Sequence, residues 1–244
     1  MRIFHIITHF DIGGAERVAV NIAKSQTTGI EYHLVEVVRG NGEFSQSFIE
    51  ELHDCSICCH RSHITNNKIA IILFPLWFIY LSFKWKPQVI HTHTEIPDLS
   101  IYLWNKIFGW IFPTIKYVRT IHNTELWNQW PQIGRKVESF FKKKHANIAI
   151  SQSTQLCYKR VYGETPSIIF NGLQSVKQKK FKHIIANKIN ILFAGRLEYQ
   201  KGIDQLIAVV NAFKCNPKFY FHRGWFYERK STQYSENINQ CIFL

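Results

Sequence analysis

The chain has 244 residues, 46% of them hydrophobic and 19% charged, a composition that excludes a disordered protein and allows one large domain or two smaller ones. Six cysteines are too few for a disulfide-rich scaffold, and the lack of an apolar run of about 18 residues argues against a membrane-spanning helix. The net charge of +13 lies in the C-terminal two-thirds, since residues 1–88 carry 8 basic and 8 acidic residues, and it predicts an anionic partner: a phosphate-bearing substrate, an acidic membrane or a nucleic acid.

Short apolar, β-branched runs alternate with helical stretches over residues 1–173. The predicted strands are Ile3–Ile7, Tyr32–Val38, Ser56–Cys59, Gln88–His91, Ile115–Thr120, Ile148–Ile150 and Ser167–Phe170. The predicted helices are Ala15–Ser25, Phe44–Leu52, Lys68–Phe83, Leu99–Phe108, Gly134–Lys144 and Gln152–Val161. This alternation is typical of a parallel sheet covered on both faces, so we predict an α/β, doubly wound, Rossmann-like domain. Because the first strand lacks the features of a signal peptide, we expect a cytoplasmic protein.

A second, shorter αβ stretch follows a basic segment without periodicity, residues 174–188, which we interpret as a linker. The elements predicted after it are the strand Ile189–Ala194, the helix Gly202–Phe213, the strand Phe219–His222, the helix Phe226–Asn237 and the strand Gln240–Leu244. Sheets of this kind usually have about five or six strands. Residues 189–244 are therefore predicted to form an incomplete second Rossmann-like domain.

Polar residues after the strands are the candidate ligand contacts. Gly13 and Gly14, followed by Glu16, allow a tight turn that exposes N–H groups at a helix start, where a phosphate or a sugar hydroxyl binds well. The turn lacks the third glycine of a dinucleotide site, and it could equally be an ordinary strand-to-helix connection. His93 and Glu95 follow one strand, and His122 and Asn123 follow the next. These side chains either line one cleft or form ordinary hydrogen bonds.

A cationic turn occurs in the second stretch, where Gly195 and Arg196 end a strand and Lys201 and Gly202 precede a helix. Two cations and a helix N-terminus suit a diphosphate without a metal ion; the alternative is a solvated turn.

Two features could contact a membrane or a metal. The segments Ile69–Phe83, in which Pro75 should kink or shorten a helix, and Ile101–Phe112 are core helices or lie in a bilayer interface, with Lys142–Lys144 available for anionic headgroups. The cysteine and histidine residues between Cys55 and His63 have zinc-ligand types but no second pair of suitable spacing, so we expect buried reduced thiols and no metal site.

The motif G-R-L-x(3)-K-G at Gly195–Gly202 resembles the signature that opens the second domain of GT-B glycosyltransferases of family 4. Other motifs agree with that family in order along the whole chain. They contain Gly13, Gly14 and Glu16 after the first strand, His93 in H-x-H-T, His122 in T-I-H-N, Ser151 in I-S-x-S, and Asn171 with Gly172 before the linker.

The resemblance implies a GT-B fold, in which the first domain binds the acceptor and the second binds a nucleotide-diphosphate sugar. It implies transfer of the sugar with retention of configuration, without a metal or another cofactor. Arg196 and Lys201 would neutralise the leaving diphosphate, His122 and His93 would be catalytic, and Gly13 and Gly14 would let the loop approach the reacting groups. A lipid-linked acceptor, a peripheral site at the inner face of the plasma membrane and a role in O-antigen or capsule synthesis fit the apolar, basic character of the chain.

One departure from the family concerns the donor pocket. The later E-x(7)-E motif is missing, and His222–Phe226 stands where a glycine-rich loop usually follows the second strand. The chain is therefore expected to be truncated, and its alternative function is that of an inactive, membrane-associated binding protein. A nucleotide-sugar epimerase fits the order of motifs less well, and nucleic-acid binding lacks a recognisable motif.

Overall fold

A computed structural model describes residues 1–11, 13–172, 202–212, 220–221 and 242–243. The chain divides into two compact units, Met1–Ser175 and Val176–Leu244. The predicted linker, the strand Ile189–Ala194 and the helix Phe226–Asn237 lie outside the described residues.

The first unit contains a seven-stranded, entirely parallel sheet in the order β3-β2-β1-β4-β5-β6-β7. Its strands are β1 (Arg2–Ile7), β2 (Glu31–Glu36), β3 (Cys58–His60), β4 (Val89–His93), β5 (Lys116–Ile121), β6 (Asn147–Ala149) and β7 (Ser167–Ile168). Crossover helices connect the strands, and the order reverses on either side of β1. The predicted doubly wound α/β fold is confirmed.

Helices cover the two faces of this sheet. They are α1 (Gly14–Ala23), α2 (Glu43–Asp54), α3 (Asn67–Trp85), α4 (Glu95–Phe108), α5 (Pro131–Lys143) and α6 (Gln152–Tyr162), with a short 3₁₀ helix at Gly109–Ile111. Phe4 and Ile6 of β1 enter the larger core cluster with α3, α4 and α5, whereas Ile7 enters the smaller one with α1 and α2. Successive strand residues point to opposite faces, so one strand contributes to both cores.

Helix α3 continues through Pro75, so the expectation that this residue starts a shorter helix is wrong, and the expected kink stays a prediction. Asn66 caps its start by accepting hydrogen bonds from the backbone N–H groups of Lys68 and Ile69. Phe74 and Phe78 pack into the larger core, and this burial offsets the backbone hydrogen bond that proline removes. Among the described helices, α3 alone has the length and hydropathy to cross a membrane, but 39% of its apolar window is buried inside the protein.

Two elements differ from their predicted bounds near the strand ends that matter for function. Strand β4 ends at His93 rather than His91, and α4 follows at Glu95, four residues earlier than expected. Glu95 and Asp98 occupy the first turn of α4, where negative charge is favoured by the helix dipole. A search for apolar periodicity assigns polar residues at a helix start to the preceding loop, and for this reason the sequence places the start of α4 too late.

The described part of the second unit comprises α7 (Ile203–Ala212) and the strands β8 (Tyr220–Phe221) and β9 (Ile242–Phe243), which pair in parallel. These three elements lie within stretches that the sequence predicts as a helix and two strands.

Candidate active site

Three histidine rings from neighbouring strands form a continuous chain that reaches the carboxyl edge of the sheet. Nδ1 of His5, on β1, lies 3.2 Å from Nε2 of His93, at the end of β4. Nδ1 of His93 lies 3.2 Å from Nε2 of His122, directly after β5. His5 and His93 are buried, and His122 is partly exposed. The chain links the interior to the edge where parallel α/β sheets bind ligands.

Burial keeps these imidazoles uncharged. It lowers the pKa of His5 and of His122 to about 4, and the pKa of His93 well below its usual value. The same effect lowers the pKa of His91, whose Nε2 lies 2.7 Å from Oγ1 of Thr120. At pH 7 each ring is neutral, with one donor and one acceptor nitrogen, and this suits hydrogen bonding to hydroxyl groups better than neutralising a phosphate.

His93 does not project beyond the sheet as predicted. It is the last residue of a strand that runs two residues further than expected, and only 1% of its surface is exposed. Of the two predicted histidines, His122 alone can meet a ligand directly. The catalytic role expected for His93 stays a prediction; its Nδ1 lies 3.2 Å from Nε2 of His122.

A buried carboxylate anchors the loop that follows β1. Glu36, at the end of β2, accepts hydrogen bonds from the backbone N–H groups of Phe10 at 3.0 Å and Gly40 at 3.3 Å. The hydroxyl of Ser45 donates to the carbonyl of Phe10. The loop therefore enters the Gly13–Gly14 turn from a fixed position.

The two glycines of this turn have different environments. A Cβ added to Gly13 would lie 1.9 Å from Oε2 of Glu16, so Gly13 permits close packing of a carboxylate that is buried in the first turn of α1. A Cβ added to Gly14 would meet no atom of the described residues within 4 Å. The open side of the helix start is thus at Gly14, while the predicted contact of this turn with the reacting groups stays a prediction.

The loops after β1 and β4 are joined by a hydroxyl pair. Oγ1 of Thr8 lies 2.9 Å from Oγ1 of Thr94. Thr94 has φ 78°, a left-handed conformation that is strained for a β-branched residue. Such strain is often found at functional sites, and here it lies between His93 and Glu95.

Strand β5, which carries His122, is held in place by a buried ion network. Nε of Arg119 donates to Asp98 at 2.7 Å, and its two Nη atoms donate to the carboxylate of Glu138 at 2.6 and 2.7 Å. Trp127 and Tyr158 also donate to Glu138, at 2.6 and 2.5 Å. Burial raises the pKa of Asp98 to about 7 despite the guanidinium. The pKa of Glu138 is lowered overall: burial acts to raise it, but the charge and hydrogen bonds of Arg119 outweigh that effect.

The structure brings together some of the other predicted site residues. Glu95 begins α4 and is partly exposed, and Asn123 is exposed beside His122, so both lie at the same edge of the sheet. Ser151 is the N-cap of α6 and accepts a hydrogen bond from the N–H of Thr154 at 3.2 Å. A capping role accounts for this serine.

Asn171 and Gly172 lie elsewhere, at a cavity of about 660 Å³ beside α1. The wall of this cavity also contains His91, Thr120 and Ile148 from the sheet. His122 is not part of this wall, and the expectation that Asn171 and Gly172 share a cleft with it stays a prediction.

The predicted diphosphate residues Gly195, Arg196 and Lys201 lie outside the described residues. Gly202 is described. It has φ +73°, which favours glycine, and its carbonyl accepts a hydrogen bond from the N–H of Leu206 at 2.9 Å. Gly202 thus opens α7, as predicted for this position.

Among the residues that the structure describes, two groups of side chains have the atoms to hold a metal ion. In each group, His5 with His91 and His93, and Glu31 with His33 and Cys58, the possible ligand atoms lie within 4.8 Å of one another. In the second group, burial raises the pKa of the Cys58 thiol and disfavours the thiolate that binds zinc. The expectation that no metal is needed stays a prediction.

Sequence reasoning misses His5, Thr8 and Thr94. The spacing of His91 and His93 places both on one face of β4. What the sequence lacks is the strand order, which sets β1 beside β4 and His5 opposite His91.

Comparisons with known proteins agree with this architecture. The sequence profile of Glycosyltransferase Family 4 matches residues 12–175. Among curated proteins, none matches the sequence significantly. The HepE protein of Anabaena (Alr3699) in complex with UDP has a TM-score of 0.72 at 16% identity, over 100% of this chain and 69% of that one. HepE in complex with UDP-glucose has a TM-score of 0.52 at 17% identity, over 71% of this chain and 44% of that one.

Two further solved structures share the fold. The lipopolysaccharide outer core galactosyltransferase WaaB, in its apo form, has a TM-score of 0.59 at 15% identity and is covered over 67% of its length by 100% of this chain. Sucrose-phosphate synthase from Thermosynechococcus elongatus (tll1590) has a TM-score of 0.62 at 15% identity and is covered over 70% of its length by 100% of this chain. This chain therefore spans between 44% and 70% of the length of the solved chains with which it was compared.

Proposed function

Because the chain belongs to glycosyltransferase family 4, we propose that it transfers a sugar from a nucleotide-diphosphate sugar to a glycan acceptor with retention of configuration. The observation that carries this proposal is the neutral His122 at the carboxyl edge of the sheet, within the region that matches the family profile. HepE, which has the same fold, is solved with UDP-glucose, and this supports a nucleotide-sugar donor.

The donor diphosphate is assigned to Arg196 and Lys201, with Gly195 and Gly202 allowing close approach of the backbone. Negative charge grows on the leaving nucleoside diphosphate in the transition state, and fixed cations at that position lower the barrier. This chemistry needs neither a metal ion nor another cofactor.

His122 is assigned to the transferred sugar or to the acceptor hydroxyl. In the described part of the chain, its Nε2 is committed to His93 and its Nδ1 has no hydrogen-bond partner. A neutral ring with one unused nitrogen can orient a sugar hydroxyl. Thr94 and Glu95 lie at the same edge and would border the acceptor.

A lipid-linked acceptor at the inner face of the plasma membrane is supported by an exposed apolar surface on α3, α4 and the 3₁₀ helix that follows α4. We call this surface the apolar patch; it consists of Ile69, Ile72, Leu73, Leu76, Tyr80, Phe83, Ile107 and Trp110. Trp110 is 78% exposed and Ile72 is 68% exposed. Its members on α3 recur every three or four residues and so share one face of that helix, and aligned exposed apolar residues of this kind mark an interaction site.

The charges around the apolar patch favour an anionic bilayer. Lys68, Lys84, Lys86 and Lys106 are exposed at its margins. The sequence contains no Asp or Glu between Cys55 and Thr94. Each lysine near an anionic surface contributes about 1 kcal/mol. WaaB is named as a lipopolysaccharide enzyme, and an O-antigen or capsule glycan is the acceptor that we propose for this chain.

The test is transfer of labelled sugar by the full chain. A panel of UDP- and GDP-sugars is incubated with a bacterial membrane lipid extract in EDTA, and labelled lipid and released nucleotide are measured. We expect both products with one donor, and their loss in His122→Ala. His53→Ala is the matched control, because His53 is exposed in the last turn of α2. If every donor gives neither product, the transferase proposal is wrong.

The apolar patch also favours a second candidate, a membrane-associated binding protein without turnover. That function predicts cosedimentation with anionic vesicles together with no transfer from any donor. Transfer to lipid excludes it.

A further inference from the structure

The two ends of the histidine chain differ in their access to water. At the outer end, Nδ1 of His122 belongs to a partly exposed residue, so water can satisfy it as donor or as acceptor. At the inner end, His5 is 1% exposed, and within the described residues its Nε2 is a buried atom without a hydrogen-bond partner. The inner end alone can therefore decide the direction of the hydrogen bonds.

Only two proton arrangements keep both links of the chain as hydrogen bonds while the rings are neutral. In the first, all three rings carry the proton on Nδ1, so that His5 donates to His93 and His93 donates to His122. In the second, all three carry it on Nε2, and the bonds run the opposite way. Mixed arrangements place two lone pairs or two protons against each other.

The arrangements differ in what they leave at the sealed nitrogen of His5. The first leaves an unused lone pair there, and the second leaves a buried N–H without an acceptor. Buried N–H groups without a partner are rarer in proteins than under-used acceptors.

We propose that His5 is a positioning residue that fixes the proton of His93 and His122 on Nδ1, so that His122 presents an N–H donor to the site. The role assigned to the donor group rests on the proposed function; the tautomer itself does not. A donor at this position bonds to the oxygen of a sugar hydroxyl, or of a developing alkoxide, and cannot accept the proton of an attacking hydroxyl. His122 therefore orients and stabilises oxygen, and it does not act as a general base through Nδ1.

The lowered pKa values of the three rings support this arrangement, because a neutral chain keeps one direction at physiological pH. His91 lies beside the chain, with ring centroids 4.9 Å from His5 and 4.2 Å from His93, but its Nε2 bonds to Thr120 instead. His91 is therefore a buried histidine that lies outside the histidine chain, and it serves as the control.

The experiment is long-range ¹H–¹⁵N correlation on the full chain labelled with ¹⁵N-histidine at pH 7.5, with assignment by single substitutions. We expect His5, His93 and His122 all to carry the proton on Nδ1. In His5→Asp, whose ionised carboxylate can only accept a hydrogen bond from Nε2 of His93, we expect the protons of His93 and His122 to move to Nε2, whereas His91→Phe should leave the His122 tautomer unchanged. Protons on Nε2 of His93 and His122 in the unsubstituted protein would overturn the proposal.

Kinetics provide the functional readout. His5→Asp should lower kcat about tenfold or more with little change in KM, because His122 stays in place but its Nδ1 no longer carries the donor proton. Absence of sugar transfer in the unsubstituted protein would contradict the proposed function while leaving the tautomer result intact.

Discussion

Replacing Arg119 by methionine tests the idea that a buried ion network holds the strand that carries His122. Arg119 is 1% exposed, Asp98 is 2% exposed and Glu138 is 5% exposed, and the guanidinium bonds to both carboxylates. Arg119→Met leaves two buried carboxyl groups without their cation. Breaking a buried pair by removing one partner costs about 3–5 kcal/mol. At about 2–4 °C per kcal/mol for a chain of this size, the Tm should fall by about 6–20 °C.

The loss should also depend on pH. Removing the cation raises the pKa of both carboxyl groups in the folded state. As the pH rises, these groups ionise more readily in the unfolded chain than in the folded protein, so the free energy of unfolding of the variant falls. The difference in Tm between Arg119→Met and the unsubstituted protein should therefore be larger at pH 8 than at pH 5. Scanning calorimetry at the two pH values measures it.

The control is Arg17→Met, which removes an ion pair of the same chemistry from the surface. Nη1 of Arg17 lies 2.7 Å from Glu51, but the two side chains are 45% and 31% exposed. An exposed pair is worth about 0–1 kcal/mol, so its Tm should change by no more than about 4 °C. Equal losses in the two variants would refute the argument that burial gives the Arg119 network its weight.

Two further predictions concern acid and membranes. In the folded protein His5, with a pKa of about 4, and the more strongly shifted His91 and His93 stay neutral between pH 6.5 and 4, whereas in the unfolded chain the same histidines become protonated. The free energy of unfolding should therefore fall with falling pH, by up to about 1.4 kcal/mol per pH unit for each histidine. Urea unfolding measures this, and a free energy of unfolding that does not change with pH would contradict it. The raised pKa of Asp98 opposes this trend and should reduce the slope. Ile72→Glu combined with Leu76→Glu should weaken cosedimentation with phosphatidylglycerol vesicles at least about tenfold, whereas Leu156→Glu, exposed on α6, should not; equal effects would exclude the apolar patch as the docking surface.

The sheet could be predicted from local pattern because each strand is a short β-branched run between helical stretches. The seven strands predicted within residues 1–173 all occur, and their ends shift by no more than a few residues. The expectation of a shorter helix starting at Pro75 is wrong, because burial of one face of α3 stabilises a helix that continues through this residue. A sequence pattern shows the local conformational preference of a residue but not the tertiary packing that overrides it.

The site was less predictable, because its chemistry depends on contacts between distant residues. His122 and His93 could be found as polar residues near strand ends. His5 could not, because it lies 88 residues from its partner and becomes relevant only when β1 lies beside β4. In the sequence Arg119 is a single charged residue within a predicted strand. It can be buried because it bonds to Asp98 and Glu138, which lie on two different helices.

The most direct test of the account compares initial rates of sugar transfer by the unsubstituted chain, His122→Ala and His53→Ala under one set of conditions. Removing one fixed donor from a site of this kind lowers kcat by about 10²–10³, so His122→Ala should lose at least about 100-fold while His53→Ala keeps the full rate. A His122→Ala rate within about twofold of the unsubstituted protein would contradict the assignment of this edge as the catalytic site.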